Sequence, residues 1–229
     1  MVACSIWMDM INSSKFFRSF SVLSRFCRGL GKSAKVLDLG CGTGQNGRFM
    51  KEILPDADIY GVDILPAEDL PEFYSYSVVD IEKASLPYPD ESFDAVVFTH
   101  VIEHLRNPLG IGDEIRRVLK KGGLIYVETP NWTSTLVPSF GFHREQHHPF
   151  NFYDDPTHIK PWTKQGLFEF LFQGCKLHVV KIGTVRNFMK LPFDLAKIMY
   201  GLVSGRRVPI VYSFWNLFGW CIFGVAQKD

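Results

Sequence analysis

Five polar positions stand where short apolar runs stop. Asp38 lies in the run Val36 to Leu39, Asp63 follows Ile59 to Val62, and Asp80 follows Tyr76 to Val79. Thr99 and His100 follow Phe93 to Phe98, and Glu128 follows Leu124 to Val127. Runs of this length bounded by glycine or polar residues read as buried parallel strands. In an open parallel sheet a ligand binds beyond the carboxyl ends of the strands. Five polar residues at five such ends mark one site more firmly than any single one. A lone aspartate there is more often a cap or a turn residue.

The first of these ends carries the stretch VLDLGCGTGQNG, Val36 to Gly47. Gly40, Gly42 and Gly44 permit positive φ and remove side chains, so a ligand can rest on bare backbone where a helix starts. Two ligands suit such a loop. GTGQNG fits the dinucleotide pattern GxGxxG, with Asp63 roughly 20 residues on, a weak match taken alone. S-adenosylmethionine is the other. Asp38 separates them. A carboxylate beside the loop repels a pyrophosphate, which seeks the positive helix end, but attracts an α-ammonium. Asp63 can accept from both hydroxyls of a ribose. Asp80 can accept from an adenine amine while Ile81 covers the ring. Three acids suit a net-positive cofactor and not a dinucleotide.

The elements that position these residues alternate. Arg48 to Leu54 puts Phe49, Met50, Ile53 and Leu54 on one helical face, with Pro55 after it. Ile111, Ile115, Val118 and Leu119 form a second helical stripe, which KKGG is expected to stop. Strand and helix in alternation imply a parallel sheet wound on both faces. The rhythm breaks over Asn131 to Lys160, a polar and aromatic loop of the length that usually carries function. Thr163 then caps a helix expected to run through Phe172 and end at Gly174. Lys176 to Gly183 reads as a sixth strand, Asn187 to Gly205 as an inserted helix, and Trp220 to Gln227 as a last strand.

The 229 residues fit one α/β domain, with 46% hydrophobic residues to fill its core. A net charge of +1 argues against a general nucleic-acid footprint. Five scattered cysteines (Cys4, Cys27, Cys41, Cys175 and Cys221) form no CxxC, which points to a reducing, cytoplasmic setting without structural zinc. Asp9 interrupts any early apolar run, so no signal peptide is expected. Lys15 to Leu30 alternates Phe16, Phe17, Phe20, Leu23 and Phe26 with Lys15, Arg18, Arg25 and Arg28. It reads as a lid or sheet-packing helix or as a basic membrane-surface helix. Val208 to Ala226 lacks charge, but Pro209, Ser213, Asn216, Gly219 and Gly224 interrupt it, so a buried helix and a terminal strand are expected. The expected organisation is an N-terminal amphipathic segment over 1–34 and one domain over 35–229. That domain carries an acceptor loop at 131–162 and an apolar helical insertion at 187–219.

VLDLGCGTG, GVDI, VVDIEKASLPYPDESFDAVVFTHVIEHL and EIRRVLKKGGLIYVETPN fall in order. Together they resemble the class I S-adenosylmethionine-dependent methyltransferases, over about Lys35 to Asn131. The resemblance points toward the small-molecule branch of ubiquinone-pathway and saccharide-cluster enzymes. FYDDPTHIKPWT, Phe152 to Thr163, resembles a segment of the saccharide-cluster enzymes. The resemblance implies a Rossmann-like seven-stranded sheet, mostly parallel, its last strand antiparallel, with helices on both faces. It implies that Asp38, Gly40, Cys41, Gly42 and Gly44 hold the methionine part, Asp63 and Ile64 the ribose, and Asp80 and Ile81 the adenine. Thr99, His100 and Val101 lie beside the sulfonium.

Methyl transfer is an in-line displacement in which the protein supplies mostly alignment, and a hydroxyl acceptor also needs a base. His100 and His104, flanking Glu103, are candidates, as are His143 and His147 in the long loop; each also has a plain structural reading. His143 and His147 in HREQHH show a metal-like i, i+4 spacing. Pro149 and Pro156 deny them an orienting helix, so no metal is expected and the loop is read as the acceptor pocket. Phe140, Phe142, Phe150, Phe152, Tyr153 and Trp162 either stack on a sugar or aromatic acceptor or cover the open end of the sheet. The expected function is methylation of a small molecule at oxygen, on a saccharide or lipid-linked precursor. Nucleic acid is not expected as a partner; membrane-surface contact and homo-oligomerisation stay open. The alternatives are a non-catalytic cofactor-binding scaffold recruited to a partner or membrane, and, with Asp38 against it, a nicotinamide oxidoreductase.

Overall fold

The computed structural model describes residues 21–66, 70–137, 139 and 151–229. Seven strands form one sheet: β1 Lys35–Leu39, β2 Asp58–Asp63, β3 Tyr74–Val78, β4 Phe93–Thr99, β5 Leu119–Pro130, β6 His178–Thr184 and β7 Cys221–Gln227. Their order is β3-β2-β1-β4-β5-β7-β6. Strands β1 to β5 are parallel, and β7 is inserted antiparallel between β5 and β6. The chain order reverses between β1 and β4, where a doubly wound sheet opens its ligand crevice.

Apolar pattern accounts for the centre of this sheet. Val36 to Leu39 and Ala95 to Phe98 are buried throughout. Each such Val, Leu or Phe withdrawn from water contributes about 1.5–3 kcal/mol. Two cores lie on the two faces. One gathers Leu37, Val62, Phe98, Ile115 and Phe170, the other Val36, Ile59, Met50, Tyr126 and Phe223. Helix α1, Val22–Arg28, places Val22, Phe26 and Cys27 in the second core. The described half of the basic amphipathic segment is thus a sheet-packing helix; residues 1–20 lie outside the described residues.

Helix α2, Gln45–Ile53, follows Gly44, which takes a left-handed φ of 78° at its N-cap. Helix α3, Pro108–Val118, starts on a proline, whose missing N–H costs nothing in a first turn. Thr163 caps α4, Lys164–Glu169, accepting from Gly166 N–H at 3.0 Å. Helices α5, Leu191–Ser204, and α6, Arg207–Phe218, form a pair before β7.

Several boundaries differ from the sequence reading. Strand β3 begins at Tyr74 and ends at Val78. The KKGG stretch lies within β5 rather than ahead of it, with Gly122 at φ 75° and a shifted register opposite Phe93. The helix after Thr163 gives way at Phe170 to a π turn ending at Gly174. Strand β6 starts at His178 because Lys176 turns the chain at φ 54°.

Candidate functional site

The carboxyl ends of β1, β2 and β4 meet around the glycine loop. Gly40 takes φ 77°, and a Cβ there would stand 2.1 Å from the Val101 side chain. Gly40 is therefore what lets the turn after β4 close against the turn after β1. At Gly42, φ 50°, a Cβ would meet nothing within 4 Å. The loop thus presents bare backbone to open space, as a bound cofactor requires. Cys41 points inward, 5% exposed, and burial pushes its thiol up to about 12, so only its backbone is offered.

Asp38 is fully buried. Tyr74 donates its hydroxyl to Asp38 Oδ2 at 2.7 Å, and Asn46 Nδ2 approaches Oδ1 at 3.4 Å. Burial raises the Asp38 carboxyl to about 6, against these hydrogen bonds, with a smaller push from Asp63. Asn46 also donates to Thr99 Oγ1 at 2.7 Å, so α2 ties the ends of β1 and β4 together. Asp63 anchors the loop, accepting from Gly42 N–H at 2.8 Å and Leu65 N–H at 3.2 Å. One oxygen serves each bond, which leaves lone pairs on both for a ribose. Ile64 beside it is exposed. Asp80 accepts from Glu82 N–H at 3.1 Å and pairs with Lys83 at 2.7 Å; that lysine holds its carboxyl below the usual range. Ile81 rests partly buried against the first core.

His100 stands in a left-handed conformation, φ 56°, uncommon for a residue with a side chain. Nδ1 lies 3.3 Å from Glu103 and Nε2 3.7 Å from Glu128. Desolvation against the sheet end works to lower its pKa, but Cys221, Glu103 and Glu128 lift it well above the usual value. Burial pushes the Cys221 thiol itself up to about 11, which leaves Glu103 and Glu128 as the groups that favour the protonated imidazole. Both ring nitrogens of His100 thus face carboxylates, which favour its protonated form. Glu103 is fully buried, which opposes its charge, yet His100 outweighs this and holds the carboxyl below its usual value. Thr129 donates to Glu103 Oε2 at 2.9 Å.

His104, half-buried in the 3₁₀ turn Ile102–His104, sets Nδ1 against Thr157 at 3.2 Å from its carbonyl and 3.0 Å from its hydroxyl. His143 and His147 lie outside the described residues, with Phe140, Phe142 and Phe150. Within the returning segment, Phe152 is fully buried and Trp162 is 6% exposed against Phe170. Trp162 belongs to the first core and Phe152 stacks on His158, whereas Tyr153 is exposed. The segment is pinned to the site: Ile159 N–H donates to the Glu103 carbonyl at 2.9 Å, and Trp132 N–H to that of Trp162 at 2.7 Å.

A family profile described as a methyltransferase domain matches residues 16–171, more than half of the chain. The chain belongs to this methyltransferase family. S-adenosylmethionine is the family's cofactor. A probable S-adenosylmethionine-dependent methyltransferase of Mycolicibacterium smegmatis is 37% identical over 99 residues, covering 42% of this chain and 38% of its own. A demethylmenaquinone methyltransferase of Tropheryma whipplei is 32% identical over 108 residues, 44% of either chain. This chain spans only about two fifths of the length of these curated relatives. Among solved structures, an S-adenosylmethionine-dependent methyltransferase of Mesorhizobium loti shares the fold, with a TM-score of 0.62 and 15% identity over 90% of this chain and 97% of that one.

Sequence reasoning about the methyltransferase site missed Tyr74 and Asn46, the two donors on Asp38. Tyr74 arrives from 36 residues away, and only the pairing of β2 with β3 brings it in. Asn46 carried a weak signal: it is the polar residue two positions past Gly44, in the first turn of α2.

Proposed function

We propose that this methyltransferase domain transfers the methyl group of S-adenosylmethionine to an oxygen of a small molecule, a saccharide or lipid-linked precursor. The observation that supports it best is the set of acids at or just past the ends of adjacent strands, Asp38, Asp63 and Asp80, with Asp63 holding the bare backbone of Gly42. Bound there, the cofactor supplies a methyl carbon already activated by its sulfonium. Asp38, with Asn46 and Tyr74 fixing its oxygens, offers negative charge to the ammonium. Asp63 takes the ribose hydroxyls, Asp80 and Ile81 the adenine, and Thr99 to Val101 border the sulfonium. Alignment along the transfer axis is the main contribution of the chain. A small acceptor agrees with the acceptor named for the Tropheryma relative, and the 151–162 segment pinned beside Glu103 gives it a wall. His100, with both ring nitrogens facing carboxylates, is less suited to take the acceptor's proton than the groups one turn further on.

Calorimetric titration with S-adenosylmethionine and with NADH, on wild type and Asp63→Ala, tests the cofactor. The expected result is S-adenosylmethionine binding weakened at least tenfold in the variant, with no NADH binding. Binding of NADH, or of neither, would overturn the reading. Turnover in an acceptor screen then excludes a non-catalytic scaffold.

A further inference from the structure

One turn past His100, Glu103, His104 and His158 converge from two distant parts of the chain. A Glu103 carboxylate oxygen and one ring nitrogen from each histidine lie within 4.8 Å of one another. The histidine tautomers can be worked out. His158 Nδ1 sits 2.6 Å from the Phe152 carbonyl, which only accepts, so Nδ1 carries the proton and Nε2 is a bare lone pair in the neutral ring. The Thr157 hydroxyl donates to Asp155 Oδ1 at 2.6 Å, so toward His104 it can only accept. His104 Nδ1, facing that hydroxyl and the Thr157 carbonyl, must therefore donate as well. Both rings are held as metal-ligating histidines are, with Nδ1–H on backbone or hydroxyl oxygen and Nε2 free. The rings lie 4.8 Å apart, tilted at 54°. Asp155 Oδ2 stands 3.8 Å from His158 Nε2, beyond hydrogen-bond reach.

A second observation is independent of the histidines. Glu103 is fully buried, and its Oε1 receives no hydrogen bond; His100 Nδ1 at 3.3 Å approaches it out of hydrogen-bond geometry. An unsolvated carboxylate oxygen without a donor is costly. The ion pair with His100 offsets part of that cost, and a metal ion on the carboxylate would offset the rest.

We propose that Glu103, His104 and His158 bind a divalent first-row transition ion, of the zinc class, beside the transferred methyl group. Two imidazoles and one carboxylate are a set that such ions favour over calcium or magnesium, and three protein ligands leave positions open. Bonds of about 2.1 Å require the three atoms to draw in by roughly an ångström. An acceptor hydroxyl in an open position would release its proton to solvent near neutral pH, as metal-bound water does, and its oxygen would bond the methyl carbon as the carbon–sulfur bond of the cofactor breaks. In this arrangement His104 is a ligand and not the base. The role toward the acceptor rests on the methyltransferase reading; the ion site does not.

The test is titration of metal-stripped protein with Co²⁺, read by its ligand-field absorption, and zinc content by elemental analysis after Zn²⁺ loading. Wild type, His104→Ala and His158→Ala are compared, with circular dichroism and S-adenosylmethionine titration on each. One ion per wild-type chain is expected, with affinity at least tenfold lower in each variant and cofactor affinity within about threefold of wild type. No uptake by wild type, or uptake unaffected by either variant, overturns the ion site. An ion bound without S-adenosylmethionine binding leaves the site standing and removes its role in methyl transfer. Should His158→Ala fail to fold, half-buried His104 decides the question alone.

Discussion

Asp38 and Tyr74 make an acid pair whose energetics depend on pH in a calculable direction. Burial lifts the Asp38 carboxyl from its ordinary 3.8 to about 6. A group whose pKa rises on folding contributes its full stability below the unfolded value and loses it as pH climbs through the folded one. Urea unfolding of the cofactor-free protein should therefore show Asp38 costing about 1–2 kcal/mol between pH 5 and pH 7.5. That slope should vanish in Asp38→Asn. S-adenosylmethionine brings an ammonium that favours the ionised acid, so its affinity should rise with pH across the same window and stay flat in the variant. Tyr74→Phe removes the 2.7 Å donor from a buried carboxylate. It should cost about 1–3 kcal/mol above pH 6, and less once Asp38 is protonated. An equal loss at both pH values would mean that the ring, not the hydroxyl, matters.

Two loop glycines separate the element's folding from its binding. Gly40→Ala meets Val101 at 2.1 Å in a left-handed backbone, and should lose about 2–4 kcal/mol by denaturant unfolding. Adding Val101→Ala should restore part of that but not the backbone strain. Gly42→Ala meets nothing within 4 Å, so it should lose only about 1 kcal/mol while abolishing S-adenosylmethionine binding in calorimetry. Unchanged binding in Gly42→Ala would show that the loop does not face the cofactor. At this scale the sequence was informative where one element carries its own signal. The buried runs at Val36, Ile59 and Phe93 gave their strands, and Gly40 and Gly42 gave the loop. It was silent where two elements must be placed first. Tyr74 reads as one aromatic of an alternating stretch until β3 is set beside β2. Lys120 to Gly123 reads as a stop, yet Leu119 and Leu124 on either side pair with β4 and the backbone of Gly122 and Gly123 bonds that of Lys228, so the stretch is an irregularity within β5. His158 and Glu103 are 55 positions apart, so no local spacing could join them, whereas the local i, i+4 histidines at 143 and 147 drew attention by spacing alone.

Across the whole molecule, both cores lie against the sheet, and the α5–α6 pair stands outside them. Its pattern is inverted. Asp194 and Lys197 are buried, and Asn216 binds Asp194 at 2.6 Å and the Asn187 carbonyl at 3.0 Å. Outward face Leu195, Met199, Leu202 and Val203, between 60 and 86% exposed. Leu195, Met199 and Leu202 fall on one helical face. No helix among the described residues is long and apolar enough to cross a membrane. An exposed apolar face of this kind marks an interaction surface, and we propose that it rests on a membrane surface. Leu195→Gln, Met199→Gln and Leu202→Gln together should change unfolding free energy by no more than about 0.5 kcal/mol per site, because these side chains are already in water. Wild type should co-sediment with phospholipid vesicles, and the triple variant should stay in the supernatant while binding S-adenosylmethionine equally well. Wild type left in the supernatant would overturn the membrane-surface reading of this face.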